Sequence, residues 1–264
     1  MSQDASLLRR GEIAADFTLA ERLLAALSKD PAAISSVGHY SEPTTQWDLD
    51  TALSELRSAF PHFDALIRNK RVLDYGCGDG FQSVAMAREG AAAVMGVDIS
   101  PQRLEHGKRL AGDAANVSFG TRAQGCFDVA ISLNSFEHFP EPERDLQALA
   151  DSIVPGGQIL ITFGSPWLSP YGSHMNFFTT FPWVNIVFSE KTVFRVRSLY
   201  RNDGSTSYVP DMNKMTVRRF ERIIAASGLK KAYWNYKAIK RLPLTRIPIL
   251  RELFINRISC VLTK

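Results

Sequence analysis

The chain has 264 residues, of which 45% are apolar and 22% charged, with a formal net charge of +4. That length buries one sizeable core, and α/β domains often run past 200 residues undivided, so residues 1–264 are read as a single domain and a second full domain is not expected. The amino terminus carries no long apolar stretch, and no segment approaches the roughly 20 apolar residues of a membrane span, which predicts a soluble, cytoplasmic protein. Three cysteines, Cys77, Cys126 and Cys260, are widely spaced and odd in number. They argue against a disulfide framework and against a Cys-x-x-Cys metal site.

In chain order, residues 1–60 read as a helical cap, with Leu23-Leu24-Ala25-Ala26-Leu27 and Leu53-Ser54-Glu55-Leu56 supplying apolar positions at helical spacing. A loop from Ser35 to Thr45 separates them, and His39, Tyr40 and Trp47 either meet a ligand or anchor the segment. From Arg71 to Phe163 apolar strands alternate with helical stretches, which predicts a parallel sheet with helices on both faces. The strands fall at 71–75, 93–98, 116–119, 127–133 and 157–163. Residues 164–215 are too long for an ordinary connection and hold Trp167, Tyr171, Phe177, Phe178, Phe181 and Trp183, so they read as a substrate-binding insertion. A helix from Thr216 to Ser227 follows, stopped by Gly228, then a strand near 232–236, a proline-marked connection and a last strand near 258–262.

The chemistry concentrates where the first strand, Val72-Leu73-Asp74-Tyr75, runs into Gly76-Cys77-Gly78-Asp79-Gly80. Glycine lets the backbone turn sharply and approach a ligand closely, and the helix beginning near Phe81 aims its first amides the same way. Asp98 lies about twenty residues on, where a carboxylate accepts hydrogen bonds from ribose hydroxyls. A nucleoside cofactor is implied. Dinucleotide sites want Gly-x-Gly-x-x-Gly, whereas here the order is Asp-x-Gly-x-Gly-x-Gly, with an acid that repels a pyrophosphate and suits amino and sulfonium groups.

This pattern resembles the class I S-adenosylmethionine-dependent methyltransferases. Two later stretches extend the resemblance: Phe127 to His138, similar to the family's fourth strand and the start of its next helix, and Ile153 to Thr162, a turn feeding the fifth strand. The resemblance implies a Rossmann-like, doubly wound, seven-stranded and mostly parallel sheet, with an antiparallel last strand inserted between the fifth and the sixth. It implies S-adenosyl-L-methionine as cofactor, with the N-terminal region capping its site. Carried over by position, Asp74, Gly76, Cys77 and Gly78 frame the methionine end, Asp98 the ribose, Ile99 an adenine face and Asn134 the sulfonium side. The link from Gly120 to Cys126 departs from the pattern: many relatives carry an acid there for the adenine amino group, and backbone at Arg122 or Ala123 would substitute.

Transfer of a methyl group to a hydroxyl or amine needs a base within hydrogen-bond reach. His174 in the insertion and His138 after the fourth strand are the candidates, His138 with Glu137 beside it, whereas His62 and His106 sit in helical stretches away from the strand ends. No Asn/Asp-Pro-Pro-aromatic turn follows the fourth strand, which argues against methylation of nucleobase amines. The acidic ligands of the metal-dependent catechol type are missing too, since Asn134 and Gly164-Ser165-Pro166 stand in those places, and no metal is expected. From Lys191 onward lie 17 of the 31 Lys and Arg against four acids. That basic third is a solvated face, or it meets an anionic small-molecule substrate or a membrane surface peripherally; nucleic acid is not favoured. The reading is methyl transfer to a small molecule, at oxygen, in a biosynthetic pathway (sugar, lipid or secondary metabolite). Its alternatives are a nicotinamide-dependent oxidoreductase and a catalytically silent cofactor-binding protein.

Overall fold

A computed structural model describes residues 16–31, 48–201, 203–239 and 247–264. The predicted loop with His39, Tyr40 and Trp47 lies outside the described residues. In chain order the elements are α1 (Leu19–Ala26), α2 (Leu49–Ala59), α3 (Phe63–Ile67), β1 (Arg71–Tyr75), α4 (Phe81–Arg88), β2 (Ala93–Val97), α5 (Pro101–Ala111), β3 (Val117–Gly120) and β4 (Phe127–Leu133). A 3-10 turn over Phe136–His138 precedes α6 (Pro142–Asp151) and β5 (Ile153–Phe163). There follow α7 (Val184–Val187), α8 (Glu190–Arg197), α9 (Val217–Ala226), β6 (Lys230–Ala238), α10 (Pro248–Phe254) and β7 (Ile255–Thr263). Among the described residues no helix is long and apolar enough to cross a membrane.

The chain divides into two compact units. The sheet unit comprises residues 46–164, 217–237 and 257–264; the insertion unit comprises 1–45, 165–216 and 238–256.

The seven strands run in the order β3-β2-β1-β4-β5-β7-β6. Pairs β1–β2, β1–β4, β2–β3 and β4–β5 are parallel, and β7 runs antiparallel to β5 from Gln158↔Thr263 to Phe163↔Ile258. The expected inserted antiparallel last strand is therefore present. Central strands of a parallel sheet are covered on both faces and read as continuous apolar runs. Val72 and Leu73 of β1, Ala130 and Ile131 of β4, and Ile159 to Ile161 of β5 are accordingly buried. On one face Val72, Val94, Val129 and Ile131 pack with Phe60, Phe63 and Met86 from the flanking helices.

The strand order reverses between β1 and β4, whose carboxyl ends carry the glycine turn and Asn134. That is where ligands of doubly wound sheets bind. The fifth strand is longer than the sequence predicts. It starts at Ile153 and absorbs the Pro155-Gly156-Gly157 stretch as an irregularity, since Phe127 pairs with Ile153 and Val129 already with Gln158. Gly156 takes φ 77° there, and a Cβ on Gly157 would lie 2.7 Å from the Asp128 carbonyl oxygen.

In the insertion unit, Met175, Phe178, Val184, Phe188, Val193, Phe194, Tyr208 and Met212 form a core that also takes in Phe17, Leu24 and Ala25 around α1. The α8 helix opens with Ser189 as N-cap, its hydroxyl accepting from the Thr192 N–H at 3.2 Å. Inside this unit Arg197 is buried over the rings of Phe177 and Phe194 and forks onto both oxygens of Asp203 at 2.7 and 2.6 Å. That guanidinium holds the Asp203 carboxyl well below the usual carboxylate range.

Candidate functional site

The glycine turn folds back over the end of β2. The amides of Gly76 and Cys77 both donate to the Val97 carbonyl, at 2.8 and 3.0 Å. Gly76, Gly78 and Gly80 have φ of 78°, 52° and 81°, in the left-handed region that favours glycine. Their surroundings differ. A Cβ on Gly76 would lie 2.6 Å from Ser135 Cβ, so that glycine serves close packing against the end of β4. A Cβ on Gly78 would have only Arg103 Nη1 near it, at 3.4 Å, so the turn is open on that side.

Asp98 locks the next strand end to this turn. Its Oδ2 accepts from the Gly78 N–H at 2.9 Å and its Oδ1 from the Ser100 N–H at 2.9 Å. Each carboxylate oxygen accepts two bonds, so each keeps capacity for a further donor. Ser100 then caps α5, with Pro101 in its first turn. Between the two sits Ile99, 92% exposed. A bare apolar side chain thus stands directly beside a half-buried carboxylate.

Asp74 lies beneath the turn, 2% exposed, with the Ser83 hydroxyl donating to its Oδ2 at 2.6 Å. Burial pushes its carboxyl up to about 6, the Ser83 bond opposes this, and Asp98 adds to it. Cys77 is buried, and burial, followed by the charges of Asp74 and Asp98, pushes its thiol far up, so it is no thiolate nucleophile.

At the end of β4, Asn134 adopts φ 51° and its N–H donates to the Thr162 carbonyl at 2.8 Å. Glu137 is 2% exposed; its Oε1 accepts from the Gly164 N–H at 3.4 Å while Oε2 is buried with no partner among the described residues. Burial drives its carboxyl upward, against the opposing pull of His138, of backbone N–H groups and of Arg257. His138 is exposed, with its N–H donating to the Ser135 carbonyl at 2.9 Å.

The sheet unit thus brings together Asp74, Gly76, Cys77, Gly78, Asp98, Ile99, Asn134 and His138 around the carboxyl ends of β1, β2 and β4. His174 belongs to the insertion unit, half-buried at φ 55° with its N–H donating to the Tyr171 carbonyl at 3.1 Å. Two residues of this neighbourhood escaped the sequence reading. His106, set aside there, places Nδ1 3.1 Å from the Asp79 carbonyl and so donates to the turn. Glu55, read only as a helix position, bonds Asn134.

A profile of the methyltransferase domain family matches residues 47–186, more than half of the chain. The chain belongs to the class I S-adenosylmethionine-dependent methyltransferases. Its cofactor is S-adenosylmethionine, and the nicotinamide alternative falls. Among curated relatives, the ubiquinone biosynthesis O-methyltransferase of Idiomarina loihiensis is 35% identical over 135 residues, covering 44% of this chain and 54% of that protein. That of Neisseria meningitidis is 32% identical over 120 residues, covering 42% and 50%. The chain thus spans about half the length of the curated relatives it matches.

Solved structures agree on the fold. An S-adenosylmethionine-dependent methyltransferase of Mesorhizobium loti superposes with a TM-score of 0.56 at 18% identity, over 82% of this methyltransferase and all of that chain. The magnesium protoporphyrin IX methyltransferase of Synechocystis, solved with bound S-adenosylhomocysteine, gives 0.53 at 17% identity, over 86% and 90%.

Proposed function

We propose that this chain methylates a hydroxyl of a small biosynthetic molecule in the cytoplasm. Support for oxygen as the acceptor comes from the names of the curated relatives. The three unpaired cysteines suit a reducing compartment. The observation that carries the cofactor assignment at residue level is the Asp98–Ile99 corner, where an anchored carboxylate with spare acceptor capacity adjoins a bare aliphatic side chain. A ribose diol and an adenine ring are the complement of that pair. The open side of Gly78 leaves room for the methionine end, and the acidic group beneath the turn favours a cationic ligand over a pyrophosphate.

Bound S-adenosylmethionine supplies an electrophilic methyl group. Transfer to an acceptor oxygen would break the carbon–sulfur bond and leave the electron pair on sulfur as a neutral thioether, with the acceptor proton passing to a base of this chain. The residues of this chain contribute position and a proton acceptor. His138 is exposed immediately after the β4 turn and is the base within the sheet unit; His174 is the base the insertion would offer. The basic final third and the aromatic insertion fit an apolar acceptor carrying negative charge.

Calorimetric titration tests the first half of this reading. S-Adenosylhomocysteine is expected to bind in the micromolar range and reduced nicotinamide dinucleotide not at all, with Asp98→Ala abolishing binding. Transfer of radiolabelled methyl groups to phenolic acceptors tests the second, with His138→Ala and His174→Ala compared. Cofactor binding without turnover on any acceptor would mean a silent binder instead.

A further inference from the structure

The side-chain amide of Asn134 is held at both ends. Oδ1 accepts from Thr162 Oγ1 at 3.1 Å, and Nδ2 donates to Glu55 Oε1 at 2.9 Å. A carboxylate can only accept, so Glu55 settles which end of the amide is nitrogen, and Thr162 completes the pair by donating to the oxygen. Thr162 is fully buried on β5. Glu55 stands on α2, 79 residues before Asn134, and its Oε1 also accepts from Arg257 Nη2 of β7 at 3.0 Å, 202 residues further along. Its other oxygen is buried and has no partner among the described residues, where the hydrogen bonding of the carboxylate converges on Oε1. The Glu55 and Arg257 side chains keep only 15% and 26% of their exposure, which protects the cluster from solvent screening.

This arrangement is more than a tether between helix and sheet. Asn134 has a left-handed backbone at the point where β4 ends, a conformation Asn tolerates because its short side chain can bond locally. Here the side-chain bonds are long-range in sequence, and they fix the amide and the turn together. We propose that Glu55 is a positioning residue of the cofactor site: it orients the Asn134 amide and thereby the backbone that turns past the sulfonium side, while Arg257 aims the Glu55 carboxylate. The inference rests on the proposed placement of Asn134 beside the cofactor. In this proposal Glu55 acts through the Asn134 amide and takes no part in the transfer itself.

The test is a double-mutant cycle in the full chain, read as the affinity for S-adenosylhomocysteine by calorimetry. Glu55→Ala is paired with Asn134→Gly, because glycine keeps φ near +50° without strain while removing the amide. Glu55→Ala alone is expected to weaken binding about tenfold, and the double variant to bind within about twofold of Asn134→Gly alone, the non-additivity of two residues acting as one unit. Glu55→Gln retains an oxygen acceptor for Nδ2 and is expected to stay within about threefold of the parent. Equal losses from Glu55→Ala in both backgrounds, or none in either, would overturn the inference. Thr162→Val removes the other anchor and leaves the Arg257 pair intact, which covers the case in which Glu55→Ala does not fold. It should weaken binding in the parent and not beside Asn134→Gly, and additivity there counts against the proposal equally. The parent titration is read first: no binding there would overturn the proposed function itself, whereas parent binding with additive variants overturns this inference alone.

Discussion

Asp74, in the proposed cofactor site, is held in its place at a cost to the stability of the fold. Its carboxyl is raised by burial from an ordinary 3.8 to about 6, with one hydroxyl as its side-chain donor. Between about pH 4 and pH 6 the native state therefore holds a proton that the unfolded chain has released, so stability falls as pH rises through that window and levels off above it. Asparagine has no such titration and still accepts from Ser83. The melting temperature of Asp74→Asn minus that of the parent should grow by several degrees from pH 4 to pH 6 and then stay flat, while S-adenosylhomocysteine affinity falls about tenfold at pH 7. A difference independent of pH would show that Asp74 titrates at its ordinary value. The glycine turn, Asp98 and Ile99 were legible in the sequence because their relations are local: a strand end, a turn, and a second strand end one crossover away. Glu55 was not. Its partners lie 79 and 202 residues away, and on α2 it follows Leu53 and precedes Leu56 like any other polar helix position.

At the scale of elements, the crossover from β1 to β3 is built around one ring. Phe119 on β3 faces positions where a Cβ would come within 2.8 Å at Gly80, 2.7 Å at Gly96 and 2.8 Å at Gly107. Three glycines from the turn, from β2 and from α5 thus wall in a single aromatic side chain, and this sets how closely α5 approaches the sheet behind Asp98. Gly107 sits inside α5, where alanine ordinarily gains about 1 kcal/mol of helix propensity. Here the added methyl meets the Phe119 ring, so Gly107→Ala is expected to destabilise by about 1–2 kcal/mol, the usual cost of overpacking. In a Phe119→Leu background the same change should turn neutral or favourable. Chemical denaturation of the four proteins reads the sign directly. The central strands were legible because burial on both faces leaves an uninterrupted apolar run. The α8 helix was not foreseen: its Ser189 cap and the Val193, Phe194 and Val196 positions are embedded in an aromatic, proline-marked stretch whose periodicity is masked by residues that serve a core rather than a helix face.

For the whole molecule, the sequence separates an N-terminal cap over 1–60 from an insertion over 164–215, whereas the structure groups residues 1–45, 165–216 and 238–256 into one unit. Periodicity shows which residues are apolar but not which distant ones share a core; that Phe17 and Leu24 belong with Phe178 and Phe194 is a tertiary fact. The sheet unit is likewise discontinuous, drawing α2, α9, β6 and β7 together from segments spread between residues 46 and 264. Ligand binding should be felt through that unit as a unit. A ligand at one hundred times its dissociation constant adds about 2.7 kcal/mol to the stability of the state that binds it. S-Adenosylhomocysteine should therefore slow hydrogen exchange at the amides of 75–81, 98–100 and 134–138 around the strand ends, and also in buried β1 and β4, which are expected to exchange only when the sheet opens. Asp98→Ala should remove both effects at the same ligand concentration. Protection confined to the strand ends would mean that the ligand stiffens a loop without being linked to global unfolding. Protection that avoids 98–100 altogether would remove Asp98 and Ile99 from the binding site, and with them the feature on which the cofactor placement rests.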